Sequence, residues 1–376
     1  MAAASTPAPA PAPAPAPTPT PKKSVFVTGA NGYIGSAVCR AFARAGWRVF
    51  GLIRRPDAAA ALYAEEITPV IGSVSPDASF PEALAKLAPT LDVVVSCTQQ
   101  FPFAPHFAAV LSLVRKLAAS PVANSGGGRR RRRRVRPLLV LVTSGCKDYG
   151  ATGVHGSDGL APHVETSPLE PLDLIRDRAF ESLRIFEHAD EFDAAILRPT
   201  PVYGYDSSYY GAAFELASAA ARSEGRLLEL PFDSGTVIHG CHVDDCAEAY
   251  VALAEHADRR AVAGQCFNVS GARYETLGMI AGALKTEYGL RDVVQAQAPS
   301  GEGAEVDWSL YISLGHSQWV DSTKIRKLTG WTDKRLAFWE NLHVYRMAYE
   351  EAARRGHEGV LRVRDTLEHG LGGAKK

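Results

Sequence analysis

The patterned part of the chain begins with apolar positions at Val25, Phe26 and Val27, stopped by Thr28 and Gly29. A short apolar run of this kind suits a strand buried on both faces. Directly after it, Ile34, Val38, Ala41, Phe42 and Ala45 recur at helical spacing until Gly46, which predicts a helix closed by a glycine. The rhythm then repeats. Residues 47–55, 67–72, 91–96 and 138–143 read as strands with helical stretches at 81–88 and 106–117 between them, and a helix over 172–188 leads to a sixth strand at 194–197. Such alternation predicts an α/β fold on a doubly wound parallel sheet. Beyond residue 200 it thins. Helices are expected at 212–222, 276–288, 322–329 and 338–355, another is opened by Asp244 as N-cap and runs to about 257, and 237–241 and 265–270 are extended. This half holds too few alternating units for a second sheet domain and reads as a smaller α+β substrate lobe interleaved with the end of the first.

Between the first strand and its helix lies a loop with glycines at 29, 32 and 35. A dinucleotide pyrophosphate needs close backbone approach and free N–H groups at a helix N-terminus, and this spacing supplies both. Gly29, Asn31, Gly32, Tyr33, Ile34 and Gly35 are therefore the candidate phosphate loop of a Rossmann fold, although Gly-x-x-Gly-x-x-Gly differs by one residue from the common spacing. The second strand ends in Arg54 and Arg55 with no carboxylate. Guanidinium groups there suit a 2′-phosphate, whereas Asp or Glu would bind a free 2′-hydroxyl, so NADP(H) is favoured over NAD(H). Cys97 and Thr98 end the fourth strand, Pro199 and Thr200 the sixth. In an open parallel sheet those carboxyl ends face the ligand, so all four are assigned to the ribose and nicotinamide side.

The 376 residues are 46% hydrophobic and 22% charged, ordinary for a globular chain with material for a core. Lys+Arg and Asp+Glu both number 41, for a net charge of +0, which argues against nucleic acid or an anionic membrane as partner. No apolar run is long enough to span a bilayer and no signal-peptide core is visible, so a cytoplasmic location is expected. The six cysteines lack a C-x-x-C pair and read as buried thiols in a reducing compartment. His239, Cys241, His242 and Cys246 are close in sequence, but the pattern there turns into a core-facing helix, and no metal is expected. Residues 1–23 are a Pro/Ala-rich disordered tail, 24–200 the cofactor domain, 201–360 mainly the substrate lobe, and 361–376 a flexible tail. The glycine- and arginine-rich stretch 124–136 reads as an inserted surface loop.

The segments VTGANGYIGSAV, LVTSGCKDYG, LRPTPVYG, IHGCHVDDCAEAYVALAE, QCFNVSG and STKIRKLTGW resemble, in order and spacing, the extended short-chain dehydrogenase/reductases of the NAD(P)-dependent epimerase/dehydratase type over residues 24–333. The resemblance implies an oxidoreductase moving hydride between nicotinamide and a carbonyl or secondary alcohol, on a small or nucleotide-sugar-like substrate. It also implies a homodimer through helices flanking the fifth strand, a surface that the arginine insertion adjoins. Members carry a catalytic Ser or Thr after that strand and a Tyr-x-x-x-Lys pair on the next helix. Here Gly145 stands at the hydroxyl position with Ser144 one residue early, and residues 173–178 contain no tyrosine. One register puts Asp173 and Asp177 at the pair, the next puts Leu174 and Arg178. Ser144, Tyr149 and Arg178 are taken as the catalytic candidates. Arg178 could replace the lysine's ribose contact but stays protonated. Lys147, Tyr203 and Tyr205 are further donors to weigh, and His155 and His163 lie in the variable loop. The missing pair keeps a second reading open, a regulator that binds NADP(H) without turnover.

Overall fold

Alternate residues of the first strand point to opposite faces of a sheet and are fully buried on both, Val25 and Val27 in one hydrophobic cluster and Phe26 in another. The computed structural model describes residues 22–75, 77–88, 90–119, 137–206, 209–295 and 307–369. The Pro/Ala-rich segment to residue 21 and the arginine insertion at 124–136 lie outside them. β1 (Ser24–Thr28), β2 (Arg48–Ile53), β3 (Thr68–Ile71), β4 (Val93–Ser96), β5 (Leu139–Thr143) and β6 (Asp193–Pro199) join the strand Gln265–Val269 in a seven-stranded sheet. The order is Gln265–Val269, β6, β5, β4, β1, β2, β3, and every pair is parallel. It reverses between β1 and β4, and that switch point opens a crevice at the carboxyl ends.

One face of the sheet packs against α1 (Tyr33–Arg44) and the helix Val243–Glu255, whose Tyr250 and Leu253 are fully buried with Val93, Val95 and Leu141. The other face is covered by the helix Phe103–Ala119, with Phe107, Val110 and Val114 against Val94 and Val140. A third cluster forms the lobe, where Tyr203, Phe214, Leu228, Ile280 and Phe338 meet. It includes a parallel pair, Leu227–Leu230 with Asp292–Gln295, that the sequence pattern did not announce.

Several expected elements differ. The helix expected over 172–188 is a 3-10 turn Asp173–Ile175, a short α-helix Arg176–Glu181 and a second 3-10 segment Ser182–His188. Asp244 is not the N-cap of its helix. His242 is, with Nδ1 accepting from the Asp244 N–H at 3.1 Å, while the Asp244 carboxylate accepts from Arg335 at 2.7 Å and from the Tyr205 hydroxyl at 2.6 Å. The helix expected from residue 338 begins only at Leu342; ahead of it the Phe338 and Trp339 N–H groups donate to the buried Glu275 carboxylate. Residues 361–369, expected as a flexible tail, lie within the helix Glu358–His369.

Candidate active site

The glycine loop closes on itself by necessity. Gly29 sits at φ +68°, and a Cβ on Gly35 would lie 2.1 Å from the Gly29 carbonyl oxygen. The Gly32 N–H donates to that same oxygen at 2.9 Å. α1 starts after Gly32 with no side-chain cap, so its first-turn N–H groups are left for a ligand. A cleft of about 600 Å³ opens here. It gathers Gly32, Tyr33 and Ile34 from the loop, Cys97 and Thr98 from the end of β4, and Pro199 and Thr200 from the end of β6. Gly29 and Gly35 form the loop's floor, and Asn31 is exposed outside the cleft lining. The Tyr33 hydroxyl donates to the Gly204 carbonyl at 2.6 Å, which ties the loop to the substrate lobe. These residues fit a dinucleotide: the glycines let the loop close tightly on itself, and the first turn of α1 has no side-chain cap to compete for its amides. Arg54 and Arg55 stand apart from the cleft lining, both exposed, and Arg55 is paired with Glu358 and, at 3.6 Å, with Asp57.

The far wall is the turn after β5. Ser144, Gly145, Cys146 and Lys147 line it, with Arg178 from the helix Arg176–Glu181. Asp148, fully buried, organises this wall: Ser144 Oγ donates to its Oδ2, Arg178 Nη2 and Nε donate to Oδ1 at 2.6 and 3.1 Å, and Arg198 Nε lies 3.5 Å from Oδ2. A Cβ on Gly145 would be 3.2 Å from Arg178 Nη2. The guanidinium therefore crowds the place where a side chain at 145 would start. Arg178 faces the cleft while Leu174, Asp173 and Asp177 are exposed. No carboxylate pair lines the cleft among the described residues.

Tyr149 is not brought to the cleft. Its ring is 1% exposed, its hydroxyl donates to Asn268 Oδ1 at 2.7 Å and accepts from Arg198 Nη1 at 3.0 Å, and burial pushes its pKa up. Tyr203 and Tyr205 are likewise engaged, with Leu336 O and Asp244. His163 stacks on Tyr149 at 5.4 Å, and His155 bonds Tyr274. Lys147 is different. Only 8% exposed, it lies 5.8 Å from the Tyr209 ring centroid, and burial, then the Arg178 charge, lower its pKa to about 7. Thr143 and Arg362 also line the cleft and were not read from the sequence. Thr143 is the last residue of β5, so its position was legible. The reach of Arg362 from the helix Glu358–His369 depends on tertiary packing that no local pattern encodes. Among the described residues no group of three or more His, Cys, Asp or Glu is placed to hold a metal. His239 instead accepts from the Val320 N–H at 3.3 Å and donates to Gly271 O at 3.0 Å.

Residues 25–116 match the model of the NAD dependent epimerase/dehydratase family. No curated protein matches the chain. Among solved structures, a dTDP-glucose 4,6-dehydratase from Bacillus anthracis in complex with NAD is similar at 16% identity and a TM-score of 0.66, over 91% of this chain and 99% of that one. A UDP-glucose 4-epimerase from Thermotoga maritima with UDP-glucose is similar at 18% identity and a TM-score of 0.64, over 88% and 99%. At these identities the likeness is one of fold.

Proposed function

We propose that this epimerase/dehydratase-family chain is an atypical extended short-chain dehydrogenase/reductase that binds NADP(H) and transfers hydride to or from a carbonyl or secondary alcohol. The observation that carries the reading is the single cleft in which an uncapped helix N-terminus, the ends of β4 and β6, and a polar wall after β5 converge. Gly29, Gly32 and Gly35 would hold the pyrophosphate, and Cys97, Thr98, Pro199 and Thr200 the ribose and nicotinamide side. The bound cofactor would supply or accept the hydride. Ser144 has its proton directed to Asp148, so toward a substrate it acts as a hydrogen-bond acceptor. Arg178, held by Asp148, would stabilise negative charge developing on substrate oxygen. The neighbours that bind NAD and UDP-glucose motivate nucleotide sugars as one substrate class to try.

Titration of the purified protein with NADPH and NADH, followed by consumption of bound reduced cofactor against aldehydes, ketones and 4-keto nucleotide sugars, tests this. NADPH is expected to bind tighter, and the double variant Arg54→Gln/Arg55→Gln is expected to weaken NADPH about tenfold or more with NADH unchanged. Binding without turnover across the panel would favour the regulator reading, which the absence of a tyrosine from residues 173–178 supports. Failure to bind either cofactor would remove both.

A further inference from the structure

Lys147 sits on the turn Cys146–Tyr149 with its side chain more than nine-tenths buried, yet it lines the cleft beside Ser144. Burying an ammonium normally requires a carboxylate partner. None is provided. The adjacent carboxylate, Asp148, already serves Ser144, Arg178 and Arg198. Among the described residues Lys147 Nζ makes no hydrogen bond or ion pair, and its recorded partner is the face of Tyr209. The groups around it are the Cys146 thiol and Asp148 on its own turn, Arg178 from the helix Arg176–Glu181, Tyr209 before the helix Gly211–Arg222, and His316. The Cys146 thiol is held protonated by burial and the His316 ring neutral, so neither neutralises the lysine near pH 7.

Resting on the oxidoreductase reading, we propose that the Lys147 ammonium delivers the proton to the substrate's carbonyl oxygen during reduction, and that the amine takes it back during oxidation. It thereby replaces the tyrosine absent from residues 173–178. As hydride arrives at the carbonyl carbon from the reduced cofactor, the C=O π pair moves to oxygen, the Nζ–H bond breaks and an O–H bond forms. The neutral amine regains its proton from water. A group that titrates near the working pH serves such exchange well, and buried lysines shift in that direction readily. The other cleft cation, Arg178, cannot do this because it does not release its proton.

Two measurements on the full chain test the assignment. The rate of trinitrobenzenesulfonate labelling is read by peptide mapping at Lys147 and at the exposed Lys334, against pH. Half-maximal labelling of Lys147 near pH 7 is expected; labelling of Lys147 that rises only in step with that of Lys334 would overturn the proposal. Then Lys147→Arg, which keeps the charge, and Lys147→Met are compared with the parent for NADPH binding and turnover on the carbonyl panel. Binding within about threefold with turnover down by about 10²–10⁴ is expected, and the parent's reduction rate should fall as pH rises through about 7 while oxidation rises. Turnover retained in Lys147→Arg sinks the lysine assignment alone. A parent that turns over nothing sinks the oxidoreductase reading, and the lysine assignment falls with it.

Discussion

Gly35 shows how one residue can be decided by two opposed magnitudes. Inside a helix, alanine is favoured over glycine by about 1 kcal/mol. Here the added methyl would meet the Gly29 carbonyl oxygen at 2.1 Å and its carbon at 2.8 Å, both backbone atoms of a loop that cannot move without losing its turn. Overpacking of that kind costs about 1–3 kcal/mol. Gly35→Ala is therefore expected to lower stability on balance and to abolish measurable NADPH binding, read by thermal melting and cofactor titration. Retention of binding with a higher Tm would show that propensity had won. The cofactor loop was legible because three glycines before a helical repeat encode a backbone requirement locally. The proton-handling wall was not. Gly145 and Arg178 are 33 positions apart in the sequence, and only folding reveals that the guanidinium of one crowds the empty Cβ position of the other. The same holds for Tyr149, which the sequence offered as a catalytic candidate while Asn268 and Arg198 hold it in the interior.

Among the elements, those with a strict apolar rhythm were readable and those whose ends depend on distant polar groups were not. β1 to β6 and α1 lie where the pattern put them, because buried parallel strands and an amphipathic helix announce themselves. The junction before Leu342 did not, since its backbone N–H groups are claimed by Glu275, a carboxylate from a two-residue strand far away in sequence. Glu275 also makes this junction sensitive to pH. Burial raises its pKa from 4.5 to about 7 against the two N–H donors, so the folded state retains a proton the unfolded chain has released. Its contribution is most favourable below about pH 4.5 and declines as pH rises to about 7, by roughly 3 kcal/mol at most. Glu275→Gln is expected to remove that slope, measured as the difference between urea-denaturation stabilities of variant and parent from pH 4.5 to 8. Parallel curves would place the slope elsewhere.

For the molecule as a whole, the chain beyond residue 200 supplies part of the core around the main sheet as well as the separate cluster of the lobe. The strand Gln265–Val269 is an edge of the main sheet, and the helix Val243–Glu255 covers one of its faces with Tyr250 and Leu253. A fragment of residues 22–200 is accordingly expected to show no cooperative melt and to associate on size-exclusion chromatography, because Val93, Val95 and Leu141 lose their cover. A monomeric fragment with a sharp transition would overturn this. The same interleaving governs how the chain comes into being. On the ribosome, β1 is complete some 240 residues before its sheet receives the last strand. At roughly 5–20 residues per second the nascent chain carries a bare β face for on the order of tens of seconds, far longer than local helices need to form. Yield in a cell is thus set by translation speed and by chaperones that shield that face, and slowing synthesis lengthens the exposure.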